Sequence, residues 1–302
     1  MCTFRYDDLR DKEIRRFKNE STQSHYYQRP MKKYNLTNAR ADLPQRDLKD
    51  NKTRGGKCLI IAGSQGKWGA AILCAQATAR TGAGYTYILD QRKKFPTVQN
   101  PDFLLIHHLK NISDFQSIAI GPGCDDTAFL KKCIRRLAKI NYPNVVLDAE
   151  ALNILAKYHQ LPKLPANWIM TPHEGELSRL LKVSSKAIRT YRKKYILEAQ
   201  KKFGCIIVLK GHKTLIADKK SLWEIQSGNC ALAKAGTGDV LTGMIAGFLS
   251  QKMSALKAAS LSVYVHGLIA DQWILAGNDY LSLLATDLIA DLPKTLSKIR
   301  NF

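Results

Sequence analysis

The sequence predicts an α/β fold: a mostly parallel central sheet with helices on both faces. Three observations predict it. Short, mostly apolar runs recur along the chain, "KCLIIAG", "YTYIL", "SIAIG", "NVVLD", "NWIMT" and "CIIVLKG". Runs of that length without polar alternation read as strands buried on both faces. Segments with helical spacing alternate with them, which is the pattern of a parallel sheet with crossover helices. Gly, Thr and Asp cluster just after the apolar runs, and ligands of open α/β sheets bind at those carboxyl ends.

Residues 1–52 read as a polar, partly irregular N-terminal extension, with Met31 as an alternative start, and residues 53–302 as the folded domain. "KCLIIAG" opens the domain as a strand. "GAAILCAQATARTG" follows as an alanine-rich helix closed by Gly82. "YTYIL" is the next strand. "SIAIG" and "NVVLD" flank "DDTAFLKKCIRRLAKI", whose apolar spacing is helical. "NWIMT" and "CIIVLKG" flank "GELSRLL" and a long basic helix. The last third is mainly helical, in "GDVLTGMIAGFLSQ", "ALKAASLSVYVHGLIADQWIL" and "ATDLIADLPKTL".

The chain has 302 residues, 45% of them hydrophobic, as in ordinary globular proteins. No apolar run approaches the roughly 18 residues of a membrane span, and charge occupies the first residues where a signal peptide would be apolar. The seven cysteines form no CxxC pair, so free thiols and a cytoplasmic location are expected. The net charge of +22 could serve nucleic acid, a polyanionic small molecule, or solubility. The lysines are scattered beside apolar helix faces, and no helix-turn-helix, zinc-knuckle or RNP pattern occurs. A nucleic-acid partner is therefore not expected.

Two glycine-rich stretches bear on chemistry. "LIIAGSQGKWGAA" offers two incomplete phosphate cradles. Trp68 follows Lys67 where a P-loop has Ser or Thr, and Gly63, Gly66 and Gly69 are spaced GxxGxxG, not GxGxxG. Asp90 lies where a ribose-binding acid would follow a dinucleotide fingerprint. The second stretch is Gly236-Thr237-Gly238-Asp239 ahead of an apolar helix. Glycines turn N–H groups toward one point and the helix N-terminus adds positive potential, so the turn makes an anion hole. Asp239, in the first helical turn, is placed to take a proton from an attacking hydroxyl. It could equally be an acidic residue favoured by the helix dipole.

In order along the chain stand "GSQGKWGAA", "GPG", "LDAEALN", "TPHEGE", "LKGHKT", "GN…AGTGDVLTG" and "VYVHGLIAD". Together they closely resemble the ADP/ATP-dependent NAD(P)H-hydrate dehydratases of the ribokinase-like superfamily, over roughly residues 44–298. The resemblance implies a ribokinase-like three-layer sandwich and a repair reaction on NADH-hydrate and NADPH-hydrate. The C6 hydroxyl of the hydrated ring is phosphorylated from ADP or ATP with Mg²⁺, phosphate leaves, and the double bond returns. It implies Asp239 as base beside the hole of Gly236, Thr237 and Gly238. Gly69, Ala70, Gly123 and His173 would contact the substrate. Lys210, Gly211, His212, Lys213, Thr214, Asn229 and Gly238 would contact the nucleotide, and Glu176 would organise Mg²⁺ through water.

Plainer readings stand beside these. Gly-Pro-Gly is a common turn, "LKGHKT" can be a hairpin turn, and His173 with Glu176 can be a surface turn. Asp148 and Asn153 read as loop-fixing residues. Cys124-Asp125, His212-Lys213 and "CALAK" depart from what the family usually has. ADP is the expected donor, with ATP the alternative. A separate NAD(P)H-hydrate epimerase is expected, since about 50 residues cannot hold that domain, and so is a homo-oligomer, for which a tetramer is one option. The rival function is a vitamin-precursor kinase of the same superfamily; a basic nucleic-acid-binding protein ranks below it.

Overall fold

The computed structural model describes residues 29–90, 94–99, 101–157 and 163–301. The chain divides into two units, 1–30 and 31–302. Nearly all of the first lies outside the described residues, and with it most of the expected extension.

The second unit is built on one ten-stranded sheet. Its strands are β1 (Met31–Tyr34), β2 (Lys57–Ile61), β3 (Tyr85–Leu89), β4 (Leu104–Ile106), β5 (Ser117–Ile120), β6 (Val145–Leu147), β7 (Ile169–Met170), β8 (Ile206–Leu209), β9 (Leu215–Ala217) and β10 (Leu222–Ile225). Their order is β1-β10-β9-β8-β7-β6-β5-β2-β3-β4. Only β9 runs against the rest, pairing antiparallel with β8 and β10. The sheet thus takes in residues 31–34, from the stretch read as extension. They lie parallel to β10, with Met31 opposite Leu222 and Tyr34 opposite Ile225. Their basic, irregular sequence hides a strand because three of the four side chains are exposed at the sheet edge.

From β2 the chain builds outward through β3 and β4, then returns to place β5 on the other side of β2. That reversal makes a switch point between β2 and β5, with Ile61 opposite Ile120 at its rim. Loops diverge there and leave a crevice.

Helices cover both faces. α1 (Leu36–Asp42), α2 (Trp68–Arg80), α8 (Thr237–Ser250), α9 (Ala255–Leu275) and α10 (Ala285–Asn301) pack on one side. Their core joins Ile60, Ile88, Val146 and Val208 of the sheet to Cys74, Met244 and Val265 of the helices. α3 (Thr127–Lys139), α4 (Glu150–Lys157), α5 (Glu174–Leu181), α6 (Ser185–Thr190) and α7 (Arg192–Phe203) form the other layer. No described helix is long and apolar enough to cross a membrane.

α8 matters most for the site. Of its 14 residues only Gly238 and Asp239 are not buried. Burying each large side chain contributes about 1.5–3 kcal/mol, so Met244, Ile245, Phe248 and Leu249 anchor the helix firmly. Two buried hydroxyls fix its height over the sheet. Thr78 donates to the Gly243 carbonyl at 2.9 Å, and Ser117 to that of Ala246 at 2.8 Å.

Candidate functional site

Because β2, β5, β6, β7 and β8 run parallel, their carboxyl ends share one edge of the sheet. Asp148 follows β6, His173 follows β7 and Lys210 follows β8. The N-terminus of α8 arrives at the same edge. Three carboxylates and one ammonium group result.

Asp148 is 2% exposed. One of its oxygens receives Lys210 Nζ at 2.8 Å and the other the Thr242 hydroxyl at 2.9 Å. Glu176 lies 3.8 Å from Lys210 Nζ and accepts the His173 N–H at 2.8 Å. Burial pushes the Glu176 carboxyl up to about 7; Lys210 opposes that rise, and Asp148 adds to it. Asp239 is likewise raised by burial and by the Asp148 charge, to about 6, against the pull of Lys210. Burial works against the Lys210 charge, but Asp148 and Glu176 outweigh it and hold the lysine above its ordinary value. His173 is pushed down by burial and then by Lys210 and Arg179.

Gly236 starts α8 with φ +88°. A Cβ there would meet Leu73 Cδ1 at 2.8 Å. This left-handed turn is what aims the first N–H groups of α8 outward, and only glycine adopts it without cost. Two contacts lock the turn. The Thr237 hydroxyl donates to the carbonyls of Leu232 and Lys234, each at 2.9 Å. The buried His266 donates from Nε2 to the Thr237 carbonyl at 2.9 Å. Burial pushes that imidazole down to about 4, so it is neutral.

Beside this hole lies a cleft of about 450 Å³. Lys210, Gly211, His212 and Thr214 line it together with Asn229, Thr237, Gly238 and His266. The "LKGHKT" loop is a true hairpin between β8 and β9 and also lines the cleft. Lys213 is the exception. It takes the left-handed position of the turn, φ 53°, is exposed, and is not among the lining residues. Lys210 is committed to the carboxylates as well as facing the cleft. Asn229 caps the short 3₁₀ turn Cys230–Leu232 and donates to Asp271 at 2.9 Å. The other Asp271 oxygen receives the Gly228 N–H.

On the switch-point side, the "GSQGK" loop is stapled to Gly-Pro-Gly. Gly63 N–H donates to the Pro122 carbonyl at 2.8 Å, and Ser64 Oγ to that of Gly123 at 2.7 Å. Lys67 is the N-cap of α2. Gly123 has φ +63°, and a Cβ there would lie 2.8 Å from that of Ala70; the two loops touch where both residues are small. Gly69, beside it, opens on free space. Asp90 accepts the N–H groups of Lys94 and Phe95, so its carboxylate organises its own loop.

The sequence reading undervalued four residues. Asp148, read as loop-fixing, is the ionic partner of Lys210. Thr242, His266 and Asp271 carry the site's support without having been singled out. The last two belong to "VYVHGLIAD", which flagged them without assigning a role. Asn153 does hold a local network, donating to Glu150 and accepting from Arg179, each at 3.0 Å. Among the described residues no three His, Cys, Asp or Glu are arranged to hold a metal ion. The cluster nonetheless sets three carboxylates against one lysine. That suits a hydrated Mg²⁺ that takes few protein ligands and completes its shell with water and phosphate.

Residues 58–294 match the NAD(P)H-hydrate dehydratase family. The ADP-dependent (S)-NAD(P)H-hydrate dehydratase of Bacillus subtilis is 35% identical over 84% of this chain and 94% of its own length. The crystal structure of the B. subtilis ADP/ATP-dependent enzyme, co-crystallised with ATP/Mg²⁺, superposes with a TM-score of 0.80. It is 32% identical, over 89% of this chain and 99% of that one. A ribokinase-like superfamily protein of Enterococcus faecalis V583 reaches a TM-score of 0.76 at 27% identity, over 89% of this chain and 96% of that one. The bifunctional NAD(P)H-hydrate repair enzyme Nnr of Coxiella burnetii is 34% identical over 83% of this chain, which spans only 52% of that relative. On the family match and on identity across most of its length, the chain belongs to the NAD(P)H-hydrate dehydratase family, on the ribokinase-like α/β fold.

Proposed function

We propose that the protein dehydrates hydrated NADH and NADPH, using ADP or ATP as phosphoryl donor. The observation that carries this reading is Asp239. It is one of two residues left open on an otherwise buried helix, beside an anion hole and facing Lys210. Asp239 accepts the proton of the C6 hydroxyl as that oxygen attacks the terminal phosphorus. The backbone N–H groups of the Gly236–Gly238 turn hold the transferring charge. Phosphoryl transfer asks little more of a protein than such positioning and electrostatics. The bond from phosphorus to the departing nucleotide breaks, giving AMP from ADP. Loss of phosphate from C6 and a proton from C5 then restores the ring double bond. Hydroxide is a poor leaving group and phosphate a good one, which is why a kinase site can serve a dehydration.

His173, Gly123, Ala70 and Gly69 border the substrate, whose nicotinamide end lies between the switch point and α8. Gly211, His212, Thr214 and Asn229 border the nucleotide in the 450 Å³ cleft. Glu176 would hold Mg²⁺ through water, and the ion when bound would neutralise phosphate charge. The domain runs from residue 31, where the sheet begins. The setting we propose is cytoplasmic, as a homo-oligomer, with an NAD(P)H-hydrate epimerase acting alongside.

The test is an incubation of purified protein with Mg²⁺, NADH-hydrate and each nucleotide in turn. The expected result is return of NADH absorbance with stoichiometric AMP from ADP. Accumulation of a stable phosphoester without NADH makes it a kinase of the same fold. No turnover of either hydrate overturns the reading.

A further inference from the structure

A dinucleotide substrate carries a second, adenosine-bearing half that needs a seat of its own. The cleft on the β8–β9 side is given to the donor nucleotide, so the substrate's other half leaves across the switch point. A second cavity, of about 380 Å³, lies on that side between α3 and the ends of β2 and β3, a volume in the range of small-molecule sites. Ile61, Leu89, Phe129 and Leu137 give it apolar walls. Lys132 and Arg136 supply its charge beside His108, and among the described residues no acidic residue lines it. Lys132 and Arg136 are exposed and enter no ion pair among the described residues. Both cations reach the cavity side of α3. Burial pushes the thiol of Cys133, another lining residue, up to about 11, and Arg136 and Lys132 pull against that rise.

The cavity adjoins the substrate loops. A narrower cleft formed by Gly63, Ser64 and Cys124 shares Ile61, Leu89 and Phe129 with it. Ser64 in turn is bonded to Gly123, which touches Ala70. Three acids line the passage, Asp90, Asp125 and Asp126, and two of them are turned to backbone. Asp90 accepts Lys94 and Phe95 N–H, and Asp126 accepts Phe129 N–H at 3.0 Å.

We propose that this cavity seats the adenosine 2′-phosphate end of the substrate, and that the protein therefore favours NADPH-hydrate over NADH-hydrate. The assignment rests on the reading of the previous subsection. A guanidinium and an ammonium flanking an apolar, ring-sized space are suited to a nucleoside phosphate, and Arg is the residue that accommodates a 2′-phosphate.

The experiment compares the full chain with a Lys132→Ala/Arg136→Ala variant and with Lys139→Ala, an exposed α3 position outside the cavity. In the double variant KM for NADPH-hydrate should rise about tenfold or more, as loss of charge-assisted hydrogen bonds requires. KM for NADH-hydrate should stay within about threefold, and kcat, KM for ADP and the Lys139→Ala control should be unchanged. A second readout needs no turnover: the rate at which N-ethylmaleimide labels Cys133, followed by mass spectrometry. NADP⁺ should slow that labelling more than NAD⁺ does, and the difference should vanish in the double variant. Equal KM changes for the two hydrates, or equal protection by NAD⁺ and NADP⁺, overturns the subsite. If wild-type protein turns over neither hydrate while NADP⁺ still protects Cys133 selectively, the catalytic reading fails and the subsite stands.

Discussion

Asp239 combines two properties that the proposed general base needs, partial exposure at the start of α8 and a pKa close to working pH. Burial and the Asp148 charge raise it to about 6, so it is mostly ionised at neutral pH yet still basic enough to take a proton. Asp239→Asn keeps the shape and loses the base. Its kcat should fall by about 10²–10⁴, while calorimetric ADP affinity stays within a few-fold, because the anion hole is backbone. Near-wild-type turnover would reduce Asp239 to a helix-start residue. The same pKa sets an acid limb. The value of kcat/KM should rise as pH passes through about 6 and Asp239 ionises. Asp148→Asn removes a neighbouring negative charge and leaves Lys210 in place, so the limb should move to lower pH. A pH–rate profile decides it; a limb that stays put or moves up contradicts the Asp148–Asp239 coupling.

α8 is the element on which the site depends. Its burial fixes where its N-terminus ends, and Gly236 fixes where the first N–H groups aim. Gly236→Ala tests the second point. The new Cβ would lie 2.8 Å from Leu73 Cδ1 and 3.0 Å from the Ala285 Cβ, at φ +88°. Such backbone strain costs on the order of 1–3 kcal/mol, and relief must come from rotating the turn. We expect a lower thermal midpoint and at least a tenfold loss of ADP affinity, because N–H groups no longer converge on the phosphate. Calorimetry showing wild-type affinity in a folded variant would mean that the phosphates bind elsewhere. The β8–β9 hairpin makes the complementary point. It supplies Lys210, Gly211, His212 and Thr214 to the cleft but leaves Lys213 outside, at the left-handed position of the turn and exposed.

For the molecule as a whole, the site is a cost to folding. Asp239 and Glu176 both have folded pKa values above their ordinary ones. A carboxyl so raised binds its proton more tightly folded than unfolded. Its contribution is fully present below the unfolded value, near pH 4, and is lost as pH rises through the folded value. Stability from these two groups therefore falls between about pH 4 and 7. Asp239→Asn removes one share of that loss. At pH 5, partway through that window, the variant should exceed wild type by less than at higher pH. At pH 8 the variant should be the more stable, on the order of 1–2 kcal/mol after allowing for the partial solvation of the carboxyl. Urea titrations at the two pH values measure this, and a variant no more stable at pH 8 than at pH 5, relative to wild type, refutes it. Catalytic sites that hold unfavourable charge commonly trade stability for activity in this way.

The sequence by itself determined what is local. Mostly apolar runs announced β2, β3, β5, β6, β7 and β8, because a strand covered by helices carries few polar side chains. The glycine turn ahead of an apolar helix announced the left-handed start of α8 at Gly236, because helix-end geometry is set by a few adjacent residues. The edge strand β1 escaped, since its exposed side chains carry no burial pattern and its partner β10 begins at Leu222. What only the tertiary structure decided is which strand ends stand side by side. Asp148 and Lys210 are 62 positions apart, and Asp148 and Thr242 are 94 apart. Sheet order β8-β7-β6 and the seating of α8 bring them together, and from that follow the Asp148–Lys210 pair and the raised pKa of Asp239. Charge interactions fall with distance in space and are blind to separation along the chain. Asp148 could therefore be read from the sequence as a loop residue, and only the fold makes it the counter-charge at the centre of the site.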